Sequence, residues 1–349
     1  MPKYHIITFG CQMNKSDSER ITTILENKGY QSASNINEAD LILVNMCSIR
    51  QSAVDRVFGL APKFSKLKAK KPKLKTVLTG CVLKQDKRKF RKIFDSIWNQ
   101  RNYFDIPPKC QSNSLAYIPI SNGCNNFCSY CVVPLTRGPL VCRSHQEILK
   151  EVKKAVIQGM KEIWLLGQNV NDYVSEQKVN FAKLIKMVND VPGNFKFFFV
   201  SPNPKNFSDE LINTLAKCEK FGKYFNLPVQ SGDDKILKKM KRSYTPGEYK
   251  ELVEKIRKKI PDIRLSTDVI VGFPGETKSQ FENTAKLFKE IKLDNAYIAK
   301  YSPRPGTTAL YIKDSVPLKE KKRRWKILND ILLKTTNQKK RNKRNNKDY

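Results

Sequence analysis

Three cysteines crowd the stretch GCNNFCSYC at residues 123–131: Cys124, Cys128 and Cys131. Thiols spaced Cys-x3-Cys-x2-Cys can hold metal. A structural zinc site takes four ligands, and the nearest extra donors are Cys142 and His145, so zinc remains a reading of the spacing. A 4Fe–4S cluster is held by thiolates. Three thiolates would leave one of its irons open to a substrate, which explains why the cluster of cysteines stops at three. Cys11, Cys47 and Cys81 form a second, dispersed set, separated by about one βα unit each. Cys110, Cys142 and Cys218 have no assigned role. His5 and His145 are the chain's two histidines, too isolated for a catalytic triad.

The elements that must position these thiols can be read from apolar patterning. Residues 4–9, 40–45 and 75–79 read as strands, with a helix over 16–29 opened by a capping box of Ser16 and Glu19 and closed by Gly29. This alternation predicts an α/β fold: a doubly wound parallel-sheet domain over 1–105. Each dispersed cysteine follows one of its strands. The carboxyl ends of parallel strands share one edge, where such folds build sites, so the three should converge. A proline-bearing linker, 106–115, leads to a second series with strands near 116–120, 162–166, 195–200, 223–229, 263–271 and 295–302. Six βα units predict a partial (β/α)6 barrel over 116–318, with its site on the carboxyl face. The turns there are unusual: Gly167, Gln168 and Asn169; Gln230 and Ser231; and Gly272, Gly275 and Glu276, whose glycines allow close backbone approach to a ligand.

The 349 residues carry 66 Lys+Arg against 33 Asp+Glu, a net charge of +33 that favours a polyanionic partner such as nucleic acid. No apolar run approaches a membrane span, and the N-terminus lacks a signal peptide's pattern. A cytoplasmic location is expected, where thiols stay reduced. The lysine-rich stretch 62–75 has seven lysines and no acid, and reads either as a contact for a phosphate backbone or as a solvated surface loop. His145 is expected in the first turn of a helix capped by Ser144 and Glu147. A basic helix over 319–334 should run into a disordered tail, 337–349, within a terminal segment spanning 319–349.

The chain resembles the radical S-adenosylmethionine methylthiotransferase family. The blocks TFGCQMNKSDSERI, NMCSIRQSAVDRVFG, LTGC, GCNNFCSYCVVPLTRG, LLGQNVNDY, LPVQSGDDKILKKMKRSYT, DVIVGFPGET and YSPRPGT carry that resemblance from residue 8 to about 310. It implies two 4Fe–4S clusters: an auxiliary one on Cys11, Cys47 and Cys81, and one on Cys124, Cys128 and Cys131 whose open iron binds S-adenosylmethionine. The turns at Gly167–Asn169, Gln230–Ser231 and Gly272–Glu276 would contact that cofactor. One S-adenosylmethionine would be cleaved to a 5′-deoxyadenosyl radical, and a second would methylate sulfur. GCQMN and CSIR look like the branch that modifies C2 of N6-dimethylallyladenosine 37 in tRNA. The other branches act on threonylcarbamoyl-adenosine or on a ribosomal-protein aspartate. Implied partners are tRNA, an external one-electron donor and a sulfur and cluster supply system, with a monomer as the default state. Family members also carry a small all-β RNA-binding domain after the barrel; no strand-like alternation follows residue 310 here.

Overall fold

The computed structural model describes residues 1–49, 51–99, 103 and 105–345. Arg50 of the CSIR block and residues 346–349 of the tail fall outside the described residues. The first layer runs β1 (Lys3–Phe9), α1 (Gln12–Asn27), β2 (Gln31–Ser32), β3 (Leu41–Cys47), α2 (Gln51–Phe58), α3 (Ala61–Lys70), β4 (Lys75–Cys81), α4 (Lys84–Phe90) and β5 (Ser96–Ile97). Its strands are parallel in the order β2-β1-β3-β4-β5. Every residue of β3 is buried, because helices cover both faces and its apolar run needs no polar side. The strand order reverses between β1 and β3, and ligand sites of such sheets form at that crevice.

The second layer begins with β6 (Leu115–Pro119), then a short antiparallel pair, β7 (Ser121–Asn122) with β8 (Val141–Cys142), enclosing α5 (Val133–Thr136). There follow α6 (His145–Ile157), β9 (Glu162–Leu166), α7 (Phe181–Asn189), β10 (Lys196–Phe199), α8 (Asp209–Lys217), β11 (Tyr224–Asn226), α9 (Asp234–Lys239), α10 (Pro246–Lys259), β12 (Arg264–Val271), α11 (Lys278–Ile291), β13 (Asn295–Lys300) and α12 (Leu318–Asn345). Strands β6, β9 and β10 form one parallel sheet and β11, β12 and β13 another. A parallel bridge from Phe197 to Phe221 joins them into an open, six-stranded series. Stacked Phe199, Phe207, Phe221 and Phe225 fill its interior, where aromatic burial contributes most per residue.

The structure differs from the sequence reading at several element ends. Helix α1 begins a turn earlier than Ser16, because Cys11 takes the capping role: Asn14 Oδ1 accepts from the Cys11 N–H at 3.3 Å and the Cys11 sulfur faces the Asn14 N–H. Ser16 and Glu19 are therefore buried within the helix. Gly29 does close it, at φ +81°. The lysine-rich segment is partly helical, as α3, with Phe64 buried on its inner face. Ser144 caps α6 by accepting from the Gln146 N–H, with no reciprocal bond from Glu147 among the described contacts. Strand β11 keeps only three residues. Helix α12 continues to Asn345 instead of ending near 334. Its buried side includes Leu328, and Trp325 Nε1 donates to the Ile298 carbonyl at 2.9 Å. Among the described residues no strand follows β13, and no helix is long and apolar enough to cross a membrane.

Candidate active site

The dispersed cysteines meet at the carboxyl edge of the first sheet. Cys47 and Cys81 end adjacent strands in direct register, and Cys11 opens α1 beside them. Two asparagines fix this edge. Asn14 Nδ2 donates to Asn45 Oδ1 at 2.9 Å and to the Met46 carbonyl at 3.1 Å, while Asn45 Nδ2 donates to the Asn14 carbonyl at 2.7 Å, all buried. Gly80 sits at φ +96°, and a Cβ there would meet the Met46 carbonyl oxygen at 2.2 Å. Only glycine lets β4 deliver Cys81 to that place. The Cys47 thiol hydrogen-bonds the Cys81 sulfur, which, with the nearby Arg137 guanidinium, pulls the Cys81 thiol below its ordinary value despite its burial. The same bond and burial push Cys47 up.

Cys124, Cys128 and Cys131 lie on the loop between β7 and α5. Gly123, at φ +81°, faces the Pro139 carbonyl oxygen, which a Cβ would meet at 2.0 Å. Phe127 holds φ +44° while its ring is exposed, a costly conformation for an aromatic residue. The loop is bent tightly to turn its thiols inward. Burial pushes Cys124 up and Cys131 up to about 12, and a bound metal would favour their thiolates.

Donors aim at all six sulfurs. Cys11 receives from the backbone at Asn14 and Met13, and Cys47 from the backbone at Ile49. Arg137 Nε lies 3.1 Å from Cys81 Sγ, Asn126 Nδ2 3.6 Å from Cys124 Sγ, Arg242 Nη1 3.6 Å from Cys128 Sγ, and the Val133 N–H 3.4 Å from Cys131 Sγ. Such N–H···S bonds suit thiolates bearing the charge of an iron–sulfur cluster. Among the described residues no three His, Cys, Asp or Glu side chains stand where a single ion could be held.

A cleft opens beside the Cys124–Cys131 loop. Cys131 lines it, and so does Ile49, whose N–H serves Cys47. Gln230, Asp268, Tyr297, Tyr301 and Arg304 line the rest. The Gln230 Oε1 and Tyr301 hydroxyl are buried without a hydrogen-bond partner among the described residues. Buried polar atoms left so are costly, and a polar ligand in the cleft would satisfy them.

The other expected contacts divide. Gln168 Oε1 accepts from the Gly123 N–H at 2.5 Å and so supports the cysteine loop. A Cβ on Gly167 would meet Ser121 Oγ at 2.5 Å. Asn169 Nδ2 bonds Asp172, leaving its buried Oδ1 open. Ser231 turns into the fold, accepting from the Asp233 N–H at 3.3 Å. Gly272 and Gly275 have φ of +68° and +75°, and Glu276 closes their turn by accepting from the Gly272 N–H at 2.7 Å. Its carboxylate also binds Arg324 of α12 at 2.6 Å. Glu276 is thus a brace for the turn. The sequence reading missed Arg137, Arg242 and Arg304, although each lies in a quoted block. A cation beside a cysteine motif was the available signal.

An open six-stranded βα series with a three-cysteine loop at its mouth defines a class, the radical S-adenosylmethionine enzymes. Residues 118–288 match the Radical SAM superfamily, and residues 3–98 match the Uncharacterized protein family UPF0004. The TsrM radical S-adenosylmethionine methyltransferase of Kitasatospora setae shares the fold at a TM-score of 0.64 and 14% identity, over 89% of this chain and 77% of that one. The tRNA-2-methylthio-N(6)-dimethylallyladenosine synthase of Dictyoglomus thermophilum is 40% identical over 96% of this chain and 83% of its own length. That of Clostridium tetani is 37% identical over 99% and 83%. The chain belongs to this family of radical S-adenosylmethionine methylthiotransferases. Family membership implies a 4Fe–4S cluster and S-adenosylmethionine.

Proposed function

We propose that this chain places a methylthio group on C2 of N6-dimethylallyladenosine at position 37 of tRNA. The observation that carries the reading is one cleft lined by Cys131 of one triad and by Ile49, two residues from Cys47 of the other, in a chain 40% identical to a synthase of that name. In this reading Cys124, Cys128 and Cys131 hold the S-adenosylmethionine-binding 4Fe–4S cluster, and Cys11, Cys47 and Cys81 hold a second. The first domain, 1–105, carries the second cluster, and the barrel, 116–318, binds the cofactor through the turns at 167–169, 230–231 and 272–276. S-adenosylmethionine and the clusters supply the hydrogen-abstracting radical, the methyl group and the sulfur. The chain's own residues do the positioning. Gln230 and Tyr301 offer their unpaired polar atoms to ligand, while Ile49, Val132 and Val269 give the cleft an apolar wall. Electrons and replacement sulfur come from outside.

Charge supports an RNA substrate. Lys84, Lys87, Arg88 and Arg91 of α4 and its following turn line a surface cleft with Trp98, reaching Pro134–Gly138 beside the cysteine loop. Among the described residues no carboxylate lines it. Such a surface neutralises phosphates without reading bases. The test is nucleoside mass spectrometry of tRNA from a strain that lacks its own methylthiotransferase and expresses this chain. The methylthio derivative of dimethylallyladenosine should return; its absence despite soluble, iron-loaded protein would reject the proposal.

A further inference from the structure

Arg137 connects the two thiol sites. It ends α5, on the loop of Cys124, Cys128 and Cys131, yet its side chain lies within the first domain, 3% exposed. Nε donates to Cys81 Sγ at 3.1 Å, Nη2 to Asp17 Oδ2 at 2.8 Å, and Nη1 to Asn122 Oδ1 at 3.0 Å. The next residue, Gly138, accepts from the Cys124 N–H at 3.2 Å. An unbroken path therefore runs from the backbone of Cys124, through Gly138 and Arg137, to the sulfur of Cys81. Asp17 is itself buried, at 2% exposure, so the ion pair is shielded from water and held in one geometry. An arginine needed only to dock the two domains could use the carboxylate alone. This one turns its Nε to a sulfur.

We propose that Arg137 is a positioning residue that sets the electron affinity of the auxiliary cluster through its hydrogen bond to Cys81, while tying the radical-site loop to that cluster. The proposal rests on the reading that Cys11, Cys47 and Cys81 hold a 4Fe–4S cluster. A cationic donor at a ligating sulfur draws off negative charge and favours the reduced cluster. Removing it should make the auxiliary cluster harder to reduce and leave the other cluster unchanged.

The experiment isolates the auxiliary cluster in a full-length chain carrying Cys124→Ala, Cys128→Ala and Cys131→Ala. Iron analysis comes first: about four irons per chain are expected for one cluster. In that background the midpoint potential is measured by electron paramagnetic resonance, with and without Arg137→Gln and Arg137→Lys. The glutamine variant should shift the one-electron equilibrium about tenfold toward the oxidised form, a fall of about 59 mV. Lysine keeps the charge but not the planar Nε donor, and should restore only part of the shift. A third measurement needs no change at Arg137. Double resonance on arginine-labelled protein (nitrogen-15) should show a nitrogen coupled to the reduced cluster. Iron near zero in the background chain would overturn the two-cluster reading and this inference with it. Four irons, an unchanged potential and no arginine coupling would overturn this inference alone.

Discussion

Helix α12 is bolted to the turn at Gly272–Glu276, and removing the bolt should loosen both. Arg324 Nη1 lies 2.6 Å from Glu276 Oε2, with side chains 5% and 1% exposed. Arg324→Met would leave the carboxylate buried with only the Gly272 N–H, at 2.7 Å. Breaking a buried pair from one side costs about 3–5 kcal/mol. For a barrel of this size that corresponds to a fall in Tm of roughly 6–20 °C, at about 2–4 °C per kcal/mol. Burial already pushes Glu276 up, so the orphaned carboxyl should take a proton more readily and the loss should shrink toward pH 5. Adding Glu276→Gln removes the stranded charge, and the double variant should regain most of the loss. Anaerobic thermal unfolding followed by circular dichroism measures all three proteins. S-adenosylmethionine affinity should fall in the single variant without loss of iron, because the turn moves and the cysteines do not. A single variant within 2 °C of the parent, or a double variant no better than the single, would refute the reasoning.

Three other outcomes are expected. Alanine at Cys124, Cys128 and Cys131 should abolish S-adenosylmethionine cleavage, whereas alanine at Cys11, Cys47 and Cys81 should remove about half the iron and leave cleavage without methylthiolation; 5′-deoxyadenosine and iron assays decide. Glu19 is 4% exposed, and burial raises its carboxyl from 4.5 to about 7. The folded chain therefore binds more protons than the unfolded chain between those values, and stability falls as pH rises through them. Glu19→Gln should be more stable than the parent by about 2–3 kcal/mol at pH 8 and close to it below pH 4.5, read from urea unfolding at each pH. Glutamate at Lys84, Lys87, Arg88 and Arg91 together should lower the log–log salt slope of tRNA binding by roughly 2–4, at about 0.7–0.9 per phosphate lost; an unchanged slope would place the RNA elsewhere.

The cysteines were legible because their spacing is chemistry. Three thiols in one short loop, and three more after successive strands, required only the shared carboxyl edge of a parallel sheet to bring each set together. The capping of α1 was not legible, because a thiol in the place of a hydroxyl lies outside ordinary capping preferences. The run of α12 to Asn345 was hidden because polar, lysine-rich sequence suits a solvated helix as well as a coil. Glu276 reads as a ligand contact from its turn, and only α12, folding back from nearly fifty residues later, reveals Arg324 as its partner. Arg137 escaped for the same reason: its partners Asp17 and Cys81 lie in another domain.

The central claim is best tested with reconstituted protein, reductant and two anticodon stem-loops, one carrying N6-dimethylallyladenosine at position 37 and one carrying adenosine. Label in the methyl group of S-adenosylmethionine should appear as a methylthio group on the first RNA, in step with 5′-deoxyadenosine. Equal labelling of the unmodified RNA, or 5′-deoxyadenosine formed with no methylthio product on either, would contradict the account.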